Sequence, residues 1–171
     1  MKKIFLIGFM GSGKSSVGKL LAEKLGKEFI DLDEYIVEKA GMSIPEIFDR
    51  YGEKFFRKLE KEALREITED SRDAVVATGG GVVEDPENCE ILRKHVTFHL
   101  QAPWDEIWKR ISKDSNRPLV GRGKEAVKSL YEKREKMYRE TGRVINTAEM
   151  TVEEIAEKIK SIVTGLEEGG K

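Results

Sequence analysis

Hydrophobic residues in this chain form short strand-like runs that alternate with stretches of helical spacing. After the first run, for example, Val17, Leu21 and Leu25 recur at the interval of one helix face. Such alternation predicts an α/β fold in which a parallel sheet is covered by helices on both faces. The runs that predict strands are Ile4–Ile7, Glu28–Asp33, Asp73–Ala77, His95–Leu100 and Arg143–Asn146.

The first predicted strand leads directly into a glycine-rich loop. Residues Gly8–Ser15 fit the pattern G-x-x-x-x-G-K-[ST], and a helical pattern follows them. In this context the motif is typical of a loop whose backbone N–H groups bind phosphates. Lys14 would supply a point charge for the phosphates, and Ser15 a hydroxyl for Mg²⁺. The predicted ATP-binding residues here are Gly11, Ser12, Gly13, Lys14, Ser15 and Ser16.

The simplest alternative to a phosphate-binding loop is a glycine-rich turn with a solvated lysine. Other families of nucleotide-binding proteins fit the sequence less well. The dinucleotide fingerprint fails because Ser16 stands where a third glycine is required. We find no guanine-binding N-K-x-D stretch, and the third strand ends in Thr78 and glycines, not in the aspartate of a large ATPase. A small-molecule kinase remains.

Two further strand ends carry candidate site residues. Asp31 and Asp33 end the second predicted strand two residues apart, so both could face the phosphate loop; alternatively, Asp33 caps the helix predicted at Glu34. The third strand ends in Gly79, Gly80 and Gly81, which would let a ligand approach the backbone. A loose loop without a ligand is the alternative there.

Arginines and a polar loop complete the candidates. Arg110 lies near the end of a predicted helix, and residues 112–124 have the Pro- and Gly-containing polar composition of a mobile lid or a plain surface loop. Two other arginines, Arg57 and Arg134, are candidates, but their spacing on the predicted helices alone favours ordinary surface roles. Arg57 would pair with a glutamate, and Arg134 would be solvated on a charged helix.

Composition excludes several classes of protein. The 31 basic and 32 acidic residues nearly cancel, so no global field favours nucleic acid or a membrane surface. A single cysteine, Cys89, excludes an internal disulfide, and two histidines provide no zinc cluster. No apolar run approaches the roughly 20 residues of a membrane span, and the first run is interpreted as a strand, not a signal peptide. We expect a cytoplasmic protein.

Taken together, the motifs resemble those of the shikimate kinase family over roughly residues 2–163. Each motif is weak alone, but their order and spacing are specific. The resemblance implies a nucleoside-monophosphate-kinase-like fold with five parallel strands in the order 2-3-1-4-5. It also implies ATP-dependent phosphorylation of the shikimate 3-hydroxyl, on the route to aromatic amino acids. The matching segments are Gly8–Ser15, Asp31–Asp33, Phe56-Arg57-x-x-Glu60, Thr78–Gly81, Arg117-Pro118-Leu119 and Arg134-x-x-x-Tyr138.

The resemblance also implies roles for residues in the nucleotide site. Lys14 and Ser15 would serve ATP and Mg²⁺, and Asp31 would hold the metal through water. Arg117 would reach the phosphates from the lid, and Arg110 would lie beside adenine.

On the acceptor side, the resemblance implies that Asp33 binds shikimate hydroxyls and orients or deprotonates the attacking one. Arg57 and Arg134 would hold the carboxylate. The backbone of Gly80 would contact the ring hydroxyls, and Gly79 and Gly81 beside it would also belong to the shikimate-binding site.

Two segments depart from the family pattern. Arg134-Glu135-Lys136-Met137-Tyr138 lacks the family's proline, which leaves the helical phase at Arg134 open, and residues 146–150 match too poorly to assign an adenine contact. A gluconate or nucleotide kinase on the same scaffold is the nearest rival, and a nucleotide-binding regulatory module is another. We expect one domain over 1–171, with a frayed tail at about 165–171, acting as a monomer on shikimate and ATP.

Overall fold

The computed structural model describes residues 3–113 and 122–170. Within them, five strands form one sheet in the order β2-β3-β1-β4-β5, and every neighbouring pair is parallel. This confirms the fold that the sequence predicts. The strands are β1 (Ile4–Ile7), β2 (Glu28–Asp31), β3 (Ala74–Ala77), β4 (Val96–Gln101) and β5 (Arg143–Asn146).

Helices connect the strands and cover both faces of the sheet. In the described residues they are α1 (Lys14–Leu25), α2 (Leu32–Ala40), α3 (Ile44–Tyr51), α4 (Glu53–Glu69), α5 (Pro86–Arg93), α6 (Trp104–Ile111), α7 (Lys124–Thr141) and α8 (Val152–Gly169), with a 3₁₀ turn at Val82–Glu84. The last helix therefore continues into the tail, for which the sequence predicts a frayed end.

The core lies in two layers because successive residues of a strand point to opposite faces. Phe5 and Ile7 of β1 belong to a large apolar cluster with residues from α2 to α7. Ile4 and Leu6 belong to a second cluster with α1 and α8. Burial on both faces explains why β1 and β3 are apolar throughout.

The second strand ends earlier than its sequence predicts. Strand β2 stops at Asp31, whose side chain accepts hydrogen bonds from the backbone N–H groups of Asp33 and Glu34. Asp31 is thus the N-cap of α2, and Asp33 lies in the first helical turn. The prediction that both carboxylates belong to one strand is wrong, because an N-cap aspartate starts a helix at the next residue.

None of the described helices is both long enough and apolar enough to span a bilayer.

Candidate active site

The phosphate loop joins β1 to α1 beyond the carboxyl end of the central strand. Gly11 and Gly13 have φ values of 78° and 92°, a region that glycine adopts without strain. Gly13 also precedes α1, so the loop and the helix start face the same space. A segment with this conformation suits an anion, because free N–H groups and the helix dipole act together.

Lys14 folds back over its own loop. Its Nζ donates hydrogen bonds to the carbonyl oxygens of Gly8 at 2.6 Å and Phe9 at 2.9 Å. These two contacts hold the ammonium group close to the loop, and a phosphate oxygen could replace either carbonyl oxygen with a stronger charge-assisted bond.

A cavity of ≈ 380 Å³ opens above this loop. Ser12 is buried, with its Oγ close to the backbone of Gly8. The wall of this phosphate cavity consists of Met10, Gly11, Gly13, Lys14, Ser15, Ser16, Asp31, Asp33, Thr78, Gly79, Gly80 and Arg110. Residues from the ends of three neighbouring strands thus meet at one place, as expected for ligand sites in parallel sheets.

Ser15 and Asp31 form an oxygen-rich corner of the phosphate cavity. Ser15 Oγ donates to Asp31 Oδ2 at 3.0 Å, while Asp31 Oδ1 caps α2. Mg²⁺ prefers hard oxygen donors and keeps several waters, so one hydroxyl and one carboxylate beside a phosphate site fit it.

Arg110 reaches the phosphate loop from α6. Its Nη1 donates to the carbonyl oxygen of Gly11 at 2.8 Å, and its Nη2 lies 3.7 Å from Glu106 Oε2. The side chain is half exposed. This places a permanent cation at the rim of the phosphate cavity.

A second cavity, of ≈ 170 Å³, adjoins the first. The two share Met10, Asp33, Gly79 and Gly80 in their walls. The remaining residues that line this acceptor cavity are Ile44, Phe48, Glu53, Phe56, Arg57, Glu60, Gly81, Arg122 and Arg134. An apolar side from α3 and α4 therefore meets charged side chains in this cavity, and Asp33 lies in the wall that it shares with the phosphate cavity.

Each of the three glycines after β3 makes room for a different side chain. A Cβ on Gly79 would lie 2.8 Å from Asp33 Oδ1, and one on Gly80 would lie 3.4 Å from Arg134 Nη1. A Cβ on Gly81 would overlap the guanidinium of Arg57. A side chain at Gly79 or Gly81 would therefore displace Asp33 or Arg57 from its present position, whereas a Cβ on Gly80 would make only an ordinary contact.

Arg57 projects from α4 into the acceptor cavity. Its Nη1 donates to Glu60 Oε1 at 3.0 Å, and its Nη2 lies 3.5 Å from Glu53 Oε1. Glu60 is 1 % exposed, and its Oε2 has no hydrogen-bond partner in the described part of the chain. Burial raises the pKa of Glu60 to about 7, although the positive charge of Arg57 opposes this. Arg57 is thus not the exposed surface pair that spacing alone suggests.

Arg134 reaches the same cavity from α7. It is 3 % exposed, and its guanidinium lies 6.0 Å from the ring centroid of Phe9. Tyr138, four residues on, is fully buried and donates a hydrogen bond to the carbonyl oxygen of Gly80. Residues i and i+4 share a helix face, so the missing proline does not turn Arg134 away from the site.

The structure brings most of the predicted site residues together. In the described part of the chain, Asp33 and the glycine triplet separate the Lys14 loop from the two arginines. Arg117 and residues 114–121 of the predicted lid lie outside the described residues. Sequence reasoning missed the apolar wall of Ile44 and Phe48, because its spacing also fits an ordinary core helix.

The two cavities suit different chemistry. Backbone donors, Lys14 and a helix start favour a polyphosphate. A pair of arginines with planar, forked donors favours a carboxylate. Asp33 on the common wall is positioned to align a hydroxyl group between them. The arrangement can therefore transfer a phosphoryl group to the alcohol of a small acid.

Comparison with known proteins agrees with this geometry. The family model described as Shikimate kinase matches residues 10–164. A shikimate kinase from Thermodesulfovibrio yellowstonii is 48 % identical over 162 residues, covering 93 % of each chain.

Solved structures give the same result. A shikimate kinase from Acinetobacter baumannii, in complex with shikimate, has a TM-score of 0.89 at 37 % identity, with 96 % of this chain and 94 % of that one covered. A gluconokinase from Sinorhizobium meliloti has a TM-score of 0.63 at 17 % identity, covering 98 % of this chain and 94 % of that one; at that identity it shows the shared fold alone.

Proposed function

Because this chain belongs to the shikimate kinase family, we propose that its two adjoining cavities together transfer the γ-phosphoryl group of ATP to the 3-hydroxyl of shikimate. The products are shikimate 3-phosphate and ADP. The proposal is supported by the wall that the two cavities share, which includes Asp33, Gly79 and Gly80. At this wall a triphosphate bound in one cavity would meet an alcohol bound in the other.

Shikimate occupies the acceptor cavity in this proposal. Arg57 and Arg134 bind its carboxylate, because two planar guanidinium groups offer forked donors that match a carboxylate. The backbone of Gly79, Gly80 and Gly81 contacts the ring hydroxyls, which is possible where no side chain intervenes. The apolar side chains of Phe48 and Phe56 cover the carbon face of the ring.

ATP occupies the phosphate cavity. Gly11, Ser12, Gly13, Lys14, Ser15 and Ser16 bind the phosphates, and Arg110 lies beside the adenine. Lys14 exchanges its carbonyl partners for phosphate oxygens. We retain Arg117 from the sequence analysis as a cation that neutralises charge on the transferring group.

Asp33 acts at the reacting hydroxyl. Phosphoryl transfer needs alignment and charge neutralisation more than covalent chemistry. Asp33 accepts the hydrogen bond of the 3-hydroxyl and orients that oxygen towards the γ-phosphorus. It can also take up the hydroxyl proton as the 3-oxygen forms its bond to the γ-phosphorus and the bond from that phosphorus to the β,γ-bridging oxygen breaks, which releases ADP.

Mg²⁺ is the metal that the site fits. Ser15 and Asp31 would hold it, Asp31 through a water molecule. The ion supplies charge neutralisation on the β- and γ-phosphates when bound.

The chain is proposed to act as a single P-loop kinase domain over residues 1–171, as a monomer, in the cytoplasm. The continuous sheet and its two apolar layers support one domain. Sedimentation of the purified protein tests the monomer.

A coupled assay for ADP tests the reaction. Purified protein and MgATP are mixed with shikimate, gluconate, a nucleoside monophosphate or no acceptor. We expect ADP release that depends on shikimate. Preference for gluconate or a nucleotide would indicate another kinase on this scaffold, and ATP binding with no acceptor-dependent release would indicate a regulatory module; either result contradicts the proposal.

A further inference from the structure

Glu84 contacts both arginines of the acceptor cavity. It ends the 3₁₀ turn that follows the glycine triplet. Its Oε2 accepts a hydrogen bond from Arg134 Nη2 at 2.9 Å and lies 3.9 Å from Arg57 Nη2. Its Oε1 accepts from Lys133 Nζ at 3.3 Å. One carboxylate therefore bridges three cations from two different helices.

The position of Glu84 differs from that of the arginines it contacts. Arg57 and Arg134 line the acceptor cavity, whereas Glu84 is not among the described residues that line it. Glu84 is 24 % exposed through its side chain. It therefore reaches the guanidinium groups from outside the cavity wall and leaves the interior to a ligand.

Two like charges need such a counter-ion. Because both Nη2 atoms approach the same oxygen, they lie within about 7 Å of each other, where unscreened like charges repel. Arg134 is almost fully buried, and a buried charge is costly unless it is paired. In the described residues, Arg134 forms a salt bridge with Glu84 alone. Arg57 has Glu53 and Glu60 within salt-bridge distance in addition to Glu84.

The contact engages only one nitrogen of the Arg134 guanidinium group. Glu84 accepts from Nη2, so this contact does not use Nη1 of the same group. Partial burial opposes ionisation of Glu84, but the charges and hydrogen bonds of Arg134 and Lys133 together outweigh it and hold the pKa of Glu84 below its ordinary value. Glu84 is therefore a carboxylate at neutral pH, which the pairing requires.

We propose that Glu84 is a positioning residue of the acceptor site, which holds Arg57 and Arg134 side by side so that their remaining donors converge on the substrate carboxylate. This rests on the proposed function, in which the two arginines bind shikimate. The opposite role is that Glu84 competes with the substrate for the same donors. The two roles predict changes of opposite sign.

Glu84→Gln tests the proposal because it removes the charge and keeps the size. We expect KM for shikimate to rise about fivefold, the effect of roughly 1 kcal/mol, while kcat stays within about twofold and KM for ATP is unchanged. A lower KM for shikimate would show that Glu84 is a competitor. An unchanged KM would show that it does not position the arginines. Either result overturns the proposal.

A neutral substrate gives a readout that a merely structural role would not move. The carboxamide of shikimate lacks the charge that the arginines would bind. With this acceptor, wild type and Glu84→Gln should differ less than with shikimate. An equal ratio for both acceptors would mean that Glu84 acts on the site without acting through the arginine–carboxylate contact, contrary to the proposal.

Glu87→Gln is the matched control. Glu87 lies three residues on, pairs with Lys61 and Arg65, and does not line the acceptor cavity among the described residues. Its KM values should equal those of wild type. If Glu84→Gln does not fold, Glu84→Asp is measured in its place, because it keeps the charge and shortens the reach. KM for shikimate should again rise, and an unchanged value would overturn the proposal.

Failure of the two proposals can be distinguished. Absence of shikimate-dependent turnover in the wild type contradicts the proposed function. An active wild type with an unaltered Glu84→Gln variant contradicts only the role of Glu84.

Discussion

The two cavities of this protein are built by different means. The phosphate cavity takes half of its wall from one continuous segment, residues 10–16, which includes Lys14. The acceptor cavity assembles side chains from α2, α3, α4 and α7 around the glycine triplet. A site for phosphate, an anion common to many ligands, can thus be local, whereas a site for one particular small acid requires the whole fold.

The acceptor cavity also holds its charged groups in a distinct way. Arg57 and Arg134 are each paired with a glutamate, so each arginine has an acidic partner before a ligand arrives. Substitutions on that side should change shikimate binding selectively, and those on the common wall should change turnover.

The largest effect is expected on the common wall. Asp33→Asn removes the acceptor for the hydroxyl proton but preserves the shape of the side chain. We expect kcat to fall about 10²–10³-fold, within the range of general base catalysis, while ATP and shikimate still bind. Steady-state kinetics with calorimetric binding measures both. Glu34→Gln, at the exposed neighbouring position, is the control, and wild-type turnover in Asp33→Asn would remove Asp33 from the mechanism.

The next largest effect separates the two cavities. Arg134→Ala removes a buried cation from the acceptor cavity alone, and we expect Kd for shikimate to rise about 100-fold, roughly 2–3 kcal/mol. The affinity for ATP should not change. Titration calorimetry measures each ligand separately, with Arg139→Ala on the exposed face of α7 as the control. Equal losses for both ligands would contradict the carboxylate assignment.

A smaller effect tests the glycine triplet. In Gly81→Ala the new methyl group would overlap the guanidinium of Arg57, which is at the end of a flexible side chain and can move. We expect KM for shikimate to rise about tenfold, roughly 1.4 kcal/mol, with KM for ATP unchanged. Gly165→Ala is the control because a Cβ there meets nothing within 4 Å. An unaltered KM in Gly81→Ala would mean that the position of Arg57 is not critical.

A separate prediction concerns the pH dependence of stability, with no expected effect on ligand binding. Burial raises the pKa of Glu60 from 4.5 in the unfolded chain to about 7 in the fold. The folded state therefore holds a proton that the unfolded state releases between these values. The contribution of Glu60 is fully present below pH 4.5 and is lost as the pH rises towards 7, by at most about 1.4 kcal/mol per pH unit.

Denaturant unfolding of wild type and Glu60→Gln across pH 4.5–7 measures this contribution. The free energy of unfolding of wild type should fall with rising pH relative to the variant, which cannot titrate at this position. Glu62→Gln, an exposed neighbour on α4, should follow wild type. Parallel curves for wild type and Glu60→Gln would show that Glu60 has an ordinary pKa.

The contrast between the cavities also explains what the sequence could predict. The alternation of strand and helix patterns was sufficient to predict the fold. The strand and helix patterns that flank the glycine-rich motif were sufficient to predict the phosphate loop. In both cases the signal is local. The sequence pattern alone placed Arg57 and Arg134 on the surface, because i, i+3 and i, i+4 spacing does not reveal which helix face is covered by another segment.

The errors have specific physical causes. Asp31 and Asp33 share a cavity wall, but an N-cap, not strand geometry, brings them there. Glu60 lies on the buried face of α4 although Arg57 offsets only part of the cost of burying its carboxyl group, and hydrophobic spacing cannot show this. The contact of Glu84 with Arg134 spans 50 positions and depends on how the 3₁₀ turn and α7 pack.

A crystal structure of the protein with shikimate and MgADP would test the central claim most directly. The shikimate carboxylate should lie between Arg57 and Arg134, with the 3-hydroxyl beside Asp33 and facing the phosphate cavity. Shikimate bound away from both arginines, or with its 3-hydroxyl turned from Asp33 and the Lys14 loop, would contradict it.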